Sequence, residues 1–549
     1  MPNQPKNILF IMCDQLRWDY LSCYGHPRLS TPNIDGLAAR GVRFTRANVQ
    51  SPICGASRMS TYTGRYVQSH GASWNGFPLK VGELTMADYL RPLGMRTALV
   101  GKTHMAADTE GMARLGIDAN SIIGVRVSEC GFEPYERDDG LHAIGPGGRY
   151  EAQQPRYNRF LNDKGYGGDN PWHDWANAAE GDGNRLASGW AMRHARKPAR
   201  VREEDSETPY MTRRGLDFMR EAGAEPWCLH LSYIKPHWPY IAPAPYNTLF
   251  GPDDVSAAVR AEDERRDPHP VYGAFMDHRV SRTFSRDEVR DEVIPVYMGL
   301  IKQIDDQMGV LFRDMTAAGL FDTTMIVFTS DHGDYLGDHW LGDKDFFHEP
   351  SVKVPLIIYD PSPAADATRG SVCDDLVEAI DLAPTFLQLA GGDPAQQAHR
   401  LEGRSLLPLM RGERPSSWRR FTVSEYDYAM QPAAQKLGVA PADARLFMIA
   451  DKRWKLIHAI GFRPMLFDLA SDPDELHDLG ADPAYTGECE RLEAALAQWG
   501  LRQSQRTTRS DQQILNARGK TARRGILIGV WDESDIPAEL WTAYDRSTD

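Results

Sequence analysis

Four short apolar runs constrain this chain most, because each one ends in polar residues able to do chemistry. Ile8-Leu9-Phe10-Ile11-Met12 runs on to Asp14-Gln15, and Thr97-Ala98-Leu99-Val100 to Gly101-Lys102-Thr103-His104. Cys228-Leu229-His230-Leu231 leads to Lys235-Pro236-His237, and Met325-Ile326-Val327-Phe328 to Ser330-Asp331-His332-Gly333. Runs of this length and composition read as strands covered on both faces, the mark of a mainly parallel sheet. Helical periodicity lies between them. Tyr297, Leu300, Ile301, Ile304, Met308, Leu311 and Met315 recur at three- and four-residue steps, with Pro295 expected just ahead of the helix and Gly319 ending it. The expected fold class is α/β, a sheet flanked by helices. In open sheets of this kind ligands bind beyond the carboxyl ends of the strands, where the polar residues are delivered.

The rest of the chain divides by composition. Residues 140–214 are rich in Gly, Asn, Asp and Arg with little periodicity, and read as long loops or a lid over that sheet edge. Around Arg411 to Ser417 the sequence turns polar, and the apolar segments that follow (Phe421 to Val423, Leu446 to Ala450, Trp454 to His458, Met465 to Leu469) are spaced like a small antiparallel sheet. Leu492, Ala495, Leu496 and Trp499 then form an amphipathic helix. The expected organisation is a catalytic domain over 1–415, a small α+β domain over 416–501, and an extension over 502–549. The Arg-, Ser- and Gln-rich extension reads as a solvated linker or a contact with another copy of the chain, the latter giving a homodimer or homotetramer.

Charge and cysteine usage exclude several functions. With 62 Lys and Arg against 76 Asp and Glu the formal charge is −14, so no generalised basic face suggests nucleic acid. No apolar run approaches the roughly 20 residues needed to span a bilayer. The first residues lack a signal-like apolar core and cleavage site. The 7 cysteines stand singly, without a CxxC pair, which gives neither a disulfide framework nor a zinc knuckle. A cytoplasmic protein is expected.

The densest signal is Ser51-Pro52-Ile53-Cys54-Gly55-Ala56-Ser57-Arg58, followed by Thr63-Gly64-Arg65. It places a cysteine at the start of a helix ending at Gly64, where backbone N–H groups favour an anion. This block resembles the signature of the type I sulfatases, in which the cysteine is oxidised after translation to formylglycine. Ala56 departs from the proline most members carry. Further blocks are similar to that family: Asn7 to Asp14, Thr31-Pro32-Asn33-Ile34-Asp35, Thr329 to Asp334, and Phe467 to Glu475. The resemblance implies an alkaline-phosphatase-like fold, and Gln15 and His332 point to the branch that includes phosphonate monoester hydrolases.

Asp14 and Asp331 are carboxylates at strand ends that would be costly to bury unpaired, and one divalent cation would satisfy both. Oxygen ligands suit Mg, Ca or Mn, whereas an imidazole shifts the balance toward Mn or Fe; Ca or Mn is the expected ion, with Mg the alternative. By resemblance the ligands are Asp14, Gln15, Asp331, His332 and the modified residue 54. Lys102 and His104 match a sulfatase segment that touches the formylglycine hydroxyl and sulfate oxygens. If the chain is extended there, both face the same side. His237 matches the leaving-group histidine, Lys344 the lysine on the ester oxygen, and His348 is a further candidate for the same pocket. Arg58 is the natural fixed cation for an oxyanion.

The resemblance implies hydrolysis of small organic sulfate esters, aryl sulfates in an assay, after maturation by a formylglycine-generating enzyme. The hydrated aldehyde would attack sulfur in line, with His104 as the base that later expels sulfate. The phosphonate hydrolases lack the Lys and His at 102 and 104, so those residues favour a sulfatase. The alternatives are a phosphonate monoester or phosphodiester hydrolase with the same site, a noncatalytic binding protein, and a cysteine hydrolase using an unmodified thiolate.

Overall fold

The computed structural model describes residues 5–140, 155–168, 170–183 and 185–541. Its main sheet has eight strands: β1 (Asn7–Asp14), β2 (Val42–Phe44), β3 (Arg96–Gly101), β4 (Glu133–Arg137), β5 (Trp227–Pro236), β6 (Thr324–Ser330), β7 (Leu356–Tyr359) and β8 (Ser371–Cys373). They lie in the order 8-2-7-6-1-5-3-4. The four expected apolar runs are β1, β3, β5 and β6, neighbours in one parallel block in which Leu9 faces Leu229 on one side and Ile326 on the other. Only β7 runs antiparallel to its neighbours, β6 and β2. The sheet is therefore mixed.

The pleat sends successive residues of β1 into two separate cores. Ile8, Phe10 and Met12 pack with Met59 and Tyr62, whereas Leu9, Ile11 and Cys13 pack with Leu300 and Ile304. The helices supplying those partners are α1 (Cys54–Thr63) on the first face and α3 (Asp287–Ala317), beside α2 (Glu207–Ala222), on the second. Burial on both faces is why these strands read as continuous apolar runs.

Two expectations are corrected here. Pro295 lies inside α3, which starts at Asp287, nearly three turns earlier than its periodicity announced. Proline removes one helical hydrogen bond, but Val293, Ile294, Val296 and Tyr297 around it are all buried, and that packing holds the helix through the defect. The stretch expected as long loops carries a helix at Arg156–Asp163, a short hairpin of Ala178–Glu180 with Leu186–Ser188, and the first half of α2. Its residues 141–154 lie outside the described residues. Part of it packs on the carboxyl end of β5, where Lys235 Nζ donates to Asn177 Oδ1 at 2.9 Å.

The C-terminal segments form a four-stranded antiparallel meander: β9 (Thr422–Asp427), β10 (Arg445–Ala450), β11 (Trp454–Ala459) and β12 (Met465–Asp468). One face of it, with Tyr426, Met448 and Ile457, continues the core on the α1 side of the main sheet. The other face, with Val423, Ile449 and Leu456, lies under Cys489, Leu492 and Leu496 of α4 (Thr486–Gly500). Among the described residues no helix is long and apolar enough to cross a membrane.

Candidate active site

Residue 54 is placed by a change of backbone conformation. Ile53 is extended, the helix begins at Cys54, and Gly64 in the left-handed region (φ 67°) ends it. The first turn of α1 thereby sits beyond the carboxyl ends of β1 and β6, which bring Asp14 and Asp331 to the same point. The register of β1 on β5 breaks between Cys13 and Asp14, so that Asp14 lies opposite Pro236.

The donor atoms converge. Cys54 Sγ is 3.8 Å from Asp14 Oδ1 and 3.0 Å from His332 Nε2, and His332 Nε2 is 3.8 Å and 3.7 Å from oxygens of Asp14 and Asp331. Asp14, Cys54, Asp331 and His332 are all buried, with one ligand atom of each within 4.8 Å of the others. His332 Nδ1 lies 2.8 Å from the Gly333 carbonyl, to which it can only donate, and this turns Nε2 toward the cluster. Gln15 is fixed in the same way. Its Nε2 donates to Asp334, to Tyr240 at 3.2 Å and to Asp343 at 3.0 Å, leaving Oε1 on the cluster side, 3.1 Å from Lys344 Nζ. Two carboxylates, an imidazole, an amide oxygen and residue 54 are a donor set that fits one divalent cation.

Cations surround this group. Lys102 Nζ is 2.6 Å from Asp14 Oδ2, and Lys344 Nζ is 3.1 Å from Cys54 Sγ and 3.4 Å from His237 Nε2. Burial works to raise the Asp14 carboxyl, but Lys102, His237, Arg58 and His332 outweigh it and hold that group well below its ordinary value. Burial would lower Lys344, yet Asp343 and Cys54 keep it charged. His104 and His237 go the other way: burial, with Lys102 beside the first and Lys344 and Lys102 beside the second, presses both well below an ordinary histidine. Both are neutral near pH 7.

The expected residues fall into three groups. Asp14, Gln15, Cys54, Lys102, Asp331, His332, His237 and Lys344 come together as just described. His104 lies near them, but not by strand alternation as expected. Its backbone is left-handed (φ 59°), and the N–H groups of Thr103 and His104 both donate to Asp139 Oδ1, at 3.1 and 3.0 Å, which turns the chain sharply. Its Nδ1 is buried without a hydrogen-bond partner.

Arg58 and His348 are corrected. Arg58 is fully buried, and each guanidinium nitrogen is engaged: Nε with Asp331 at 2.7 Å, NH2 with Asp14 at 3.2 Å, NH1 with Ser232 Oγ and the Lys102 carbonyl, both at 2.8 Å. It aligns the two carboxylates from behind rather than offering its fork to an oxyanion. His348 is outside the pocket. It stacks on His339 with ring centroids 4.0 Å apart and lies 3.0 Å from Tyr335 OH.

Sequence reasoning missed the residues that hold these groups. Asp334 and Tyr240, which bond each other and Gln15, stand three residues past Asp331 and His237, so proximity to the motifs was an available signal. Asn75, whose Oδ1 accepts the Gly55 N–H at 2.8 Å, and Asp139 lie in aperiodic segments that carried none.

Comparison with known proteins agrees with this architecture. A model of the sulfatase family matches residues 6–392, and one described as N-sulphoglucosamine sulphohydrolase, C-terminal, matches 337–502. The chain is 30% identical over 538 residues to a multifunctional alkaline phosphatase superfamily protein of Trinickia caryophylli, covering 93% of this chain and 99% of that one. It is 27% identical to an arylsulfatase of Clostridium perfringens, over 86% of this chain and 90% of the relative. Among solved structures, a phosphonate monoester hydrolase from Silicibacter pomeroyi superposes with a TM-score of 0.78 at 29% identity, covering 90% of this chain and 95% of that one. The family match spans well over half the chain and takes in every residue of the cluster. This protein is a hydrolase of the sulfatase family, within the alkaline phosphatase superfamily.

Proposed function

We propose that the chain hydrolyses organic sulfate monoesters, with residue 54, converted from cysteine to formylglycine, as the nucleophile. The observation that carries this reading is the pair Lys102 and His104 beside Asp14 and Cys54. A sulfate monoester presents one substituent and three nonbridging oxygens, so cationic and neutral donors can crowd the anion. A phosphonate monoester or phosphodiester carries a second substituent and needs room where Lys102 and His104 stand.

Asp14, Asp331, His332, Gln15 and residue 54 would hold a divalent metal, which would supply fixed positive charge to the nucleophile and the anion. Lys102 stays charged and orients the nonbridging oxygens, while Arg58 keeps both carboxylates in register. His237 Nδ1 lies 2.9 Å from the Trp238 carbonyl and donates to it, so its Nε2 is an acceptor facing the Lys344 ammonium. Lys344 is therefore the proton-bearing group at the leaving oxygen, and His237 its partner. The neutral His104, whose Nδ1 is buried without a hydrogen-bond partner, would take a proton from residue 54.

The second reading is a phosphonate monoester hydrolase. It is supported by the likeness to solved phosphonate monoester hydrolases. Side-by-side rates with an aryl sulfate, a phosphonate monoester and a phosphodiester, on protein matured by a formylglycine-generating enzyme and against Cys54→Ala, decide between them. A sulfate preference lost in the variant supports the first; a dominant phosphonate rate supports the second. The same proposal makes the C-terminal extension a contact between copies, on the strength of Ile528 and Trp531, exposed to 89% and 92%. A monomeric mass in light scattering would refute that part.

A further inference from the structure

One edge of the site runs against the sign of the rest. Asp345 follows Lys344 directly, yet the Lys344 ammonium turns to Cys54, Gln15 and His237, away from it. The Asp345 carboxylate is instead held by two neutral donors, Tyr426 OH on Oδ1 and Gln431 Nε2 on Oδ2, each at 3.0 Å. Among the described residues no cation pairs with it. It is half-buried, and its backbone is left-handed (φ 107°), a conformation that costs free energy in a non-glycine residue. Burial first, then the charge of Asp343, pushes this carboxyl up to about 8, against the opposing pull of Lys344 and His332.

An aromatic face adjoins the carboxylate. The Tyr426 ring whose hydroxyl bonds Asp345 is stacked on Trp74, with centroids 5.9 Å apart and planes 16° from parallel. Trp74 is half-buried, and Gly76 and Phe77 just beyond it are exposed. The segment is tied to the nucleophile, since Asn75 Oδ1 holds the Gly55 N–H. Two chain segments anchored on either side of residue 54, Lys344-Asp345 and Trp74-Asn75, thus meet through Tyr426. A carboxyl group that has no counter-ion and is pushed up by burial ionises fully only when a cation comes beside it, and next to an aromatic ring it is a recognition pattern for an organic ammonium group.

We propose that Asp345 and Trp74 form a leaving-group subsite for a protonated amine, so that the preferred substrates are sulfate esters of amino-alcohols or aminophenols. This rests on the sulfatase reading above and deepens it. The anion end is held by Lys102, Lys344 and the metal-ligand group, and the ammonium end by Asp345 and the Trp74 face. The substrate's charges are arranged head to tail, and a neutral ester of the same shape loses the second contact.

The test compares 4-(2-aminoethyl)phenyl sulfate with 4-ethylphenyl sulfate, which share a phenolic leaving group. The matured wild type should show at least a tenfold higher kcat/KM for the ammonium ester, the difference lying in KM. Asp345→Asn should abolish that preference while leaving the 4-ethylphenyl sulfate rate within about twofold, and Trp74→Leu should reduce it. Equal kcat/KM for the two esters in the wild type, or a preference untouched by Asp345→Asn, overturns the subsite. If neither sulfate is turned over but phosphonate monoesters of the same two phenols are, the sulfatase reading fails while the subsite is judged by the same ratio on that second pair.

Discussion

Two buried polar clusters look alike in composition. The first gathers Asp14, Cys54, Asp331 and His332; the second gathers Glu264, His339, His348, Glu349, Lys455 and Glu475. In the second, the charged groups pair with one another, and His348 Nε2 alone of the ring nitrogens is buried without a hydrogen-bond partner. His339 Nδ1 is 2.8 Å from Glu264, the His339 and His348 rings stack, and Lys455 Nζ lies 2.8 Å from Glu349 and 2.7 Å from Glu475. In the first, cations sit behind and around the carboxylates while acceptor atoms from four residues converge on one point. Mutual pairing builds structure, whereas convergence leaves unspent coordinating capacity for a ligand. Burial and titratable content alone do not separate the two.

The largest expected effects separate them. Asp331→Asn removes a converging acceptor and should cut turnover roughly 10³-fold, in the range seen when a main electrostatic stabiliser is lost. Metal content by elemental analysis should fall with it. Lys455→Met is the counterpart. It leaves Glu475 buried without its cation and Glu349 with Lys353 alone, 3.2 Å away, a change that typically costs about 3–5 kcal/mol. The denaturation midpoint should drop, while kcat per folded molecule stays within about twofold. If Lys455→Met abolished turnover in protein that was still folded, the second cluster would belong to the site after all.

A finer prediction concerns Lys344 and His237, 3.4 Å apart. Lys344→Gln and His237→Gln should each lower kcat by about 10²-fold, typical of lost proton-transfer groups. The double variant should be little worse than either, because the two act as one unit. Multiplicative losses in single-turnover measurements would show that they act separately.

Much of this was legible in the sequence because the informative residues sit at the ends of apolar runs. Strand ends fix position, so Asp14, Lys102, His237 and Asp331 were placed together without coordinates. Legibility failed where a role depends on what else reaches the same side chain. Arg58 reads as a free guanidinium in its motif, but Ser232 and the Lys102 carbonyl, remote in sequence, occupy it. His348 reads as a pocket residue because it is four positions from Lys344, yet the chain turns at Asp343 and Asp345, both left-handed, and carries it to His339. Pro295 read as a helix boundary because tertiary packing, which overrode it, is not a local property.

The effect smallest per pH unit concerns how α1, which carries residue 54, is held by two buried histidines, and it has a definite sign with pH. His70 Nε2 is 2.9 Å from Ser60 Oγ, and its Nδ1 accepts the Ala72 N–H; His230 Nε2 is 2.8 Å from Tyr62 OH, and its Nδ1 faces the Phe10 carbonyl. Ser60 and Tyr62 belong to α1, so each neutral ring bonds the helix. Burial, with Arg65 near His70 and Arg58 near His230, lowers both rings to about 3. The unfolded chain binds protons at these positions near the ordinary histidine value of about 6.5. The folded chain does not until about pH 3, so their contribution is full above about 6.5 and is lost as acid is added through that window. Each should subtract roughly 1.4 kcal/mol of stability per pH unit within it. Denaturant unfolding of the wild type and His70→Gln between about pH 7 and pH 4 isolates the term from that of the carboxylates, because only the difference in slope belongs to this ring. A shallower slope in the variant is expected. Identical slopes would mean that His70 gains a proton in the native state, and that α1 is held more loosely in acid than its hydrogen bonds imply.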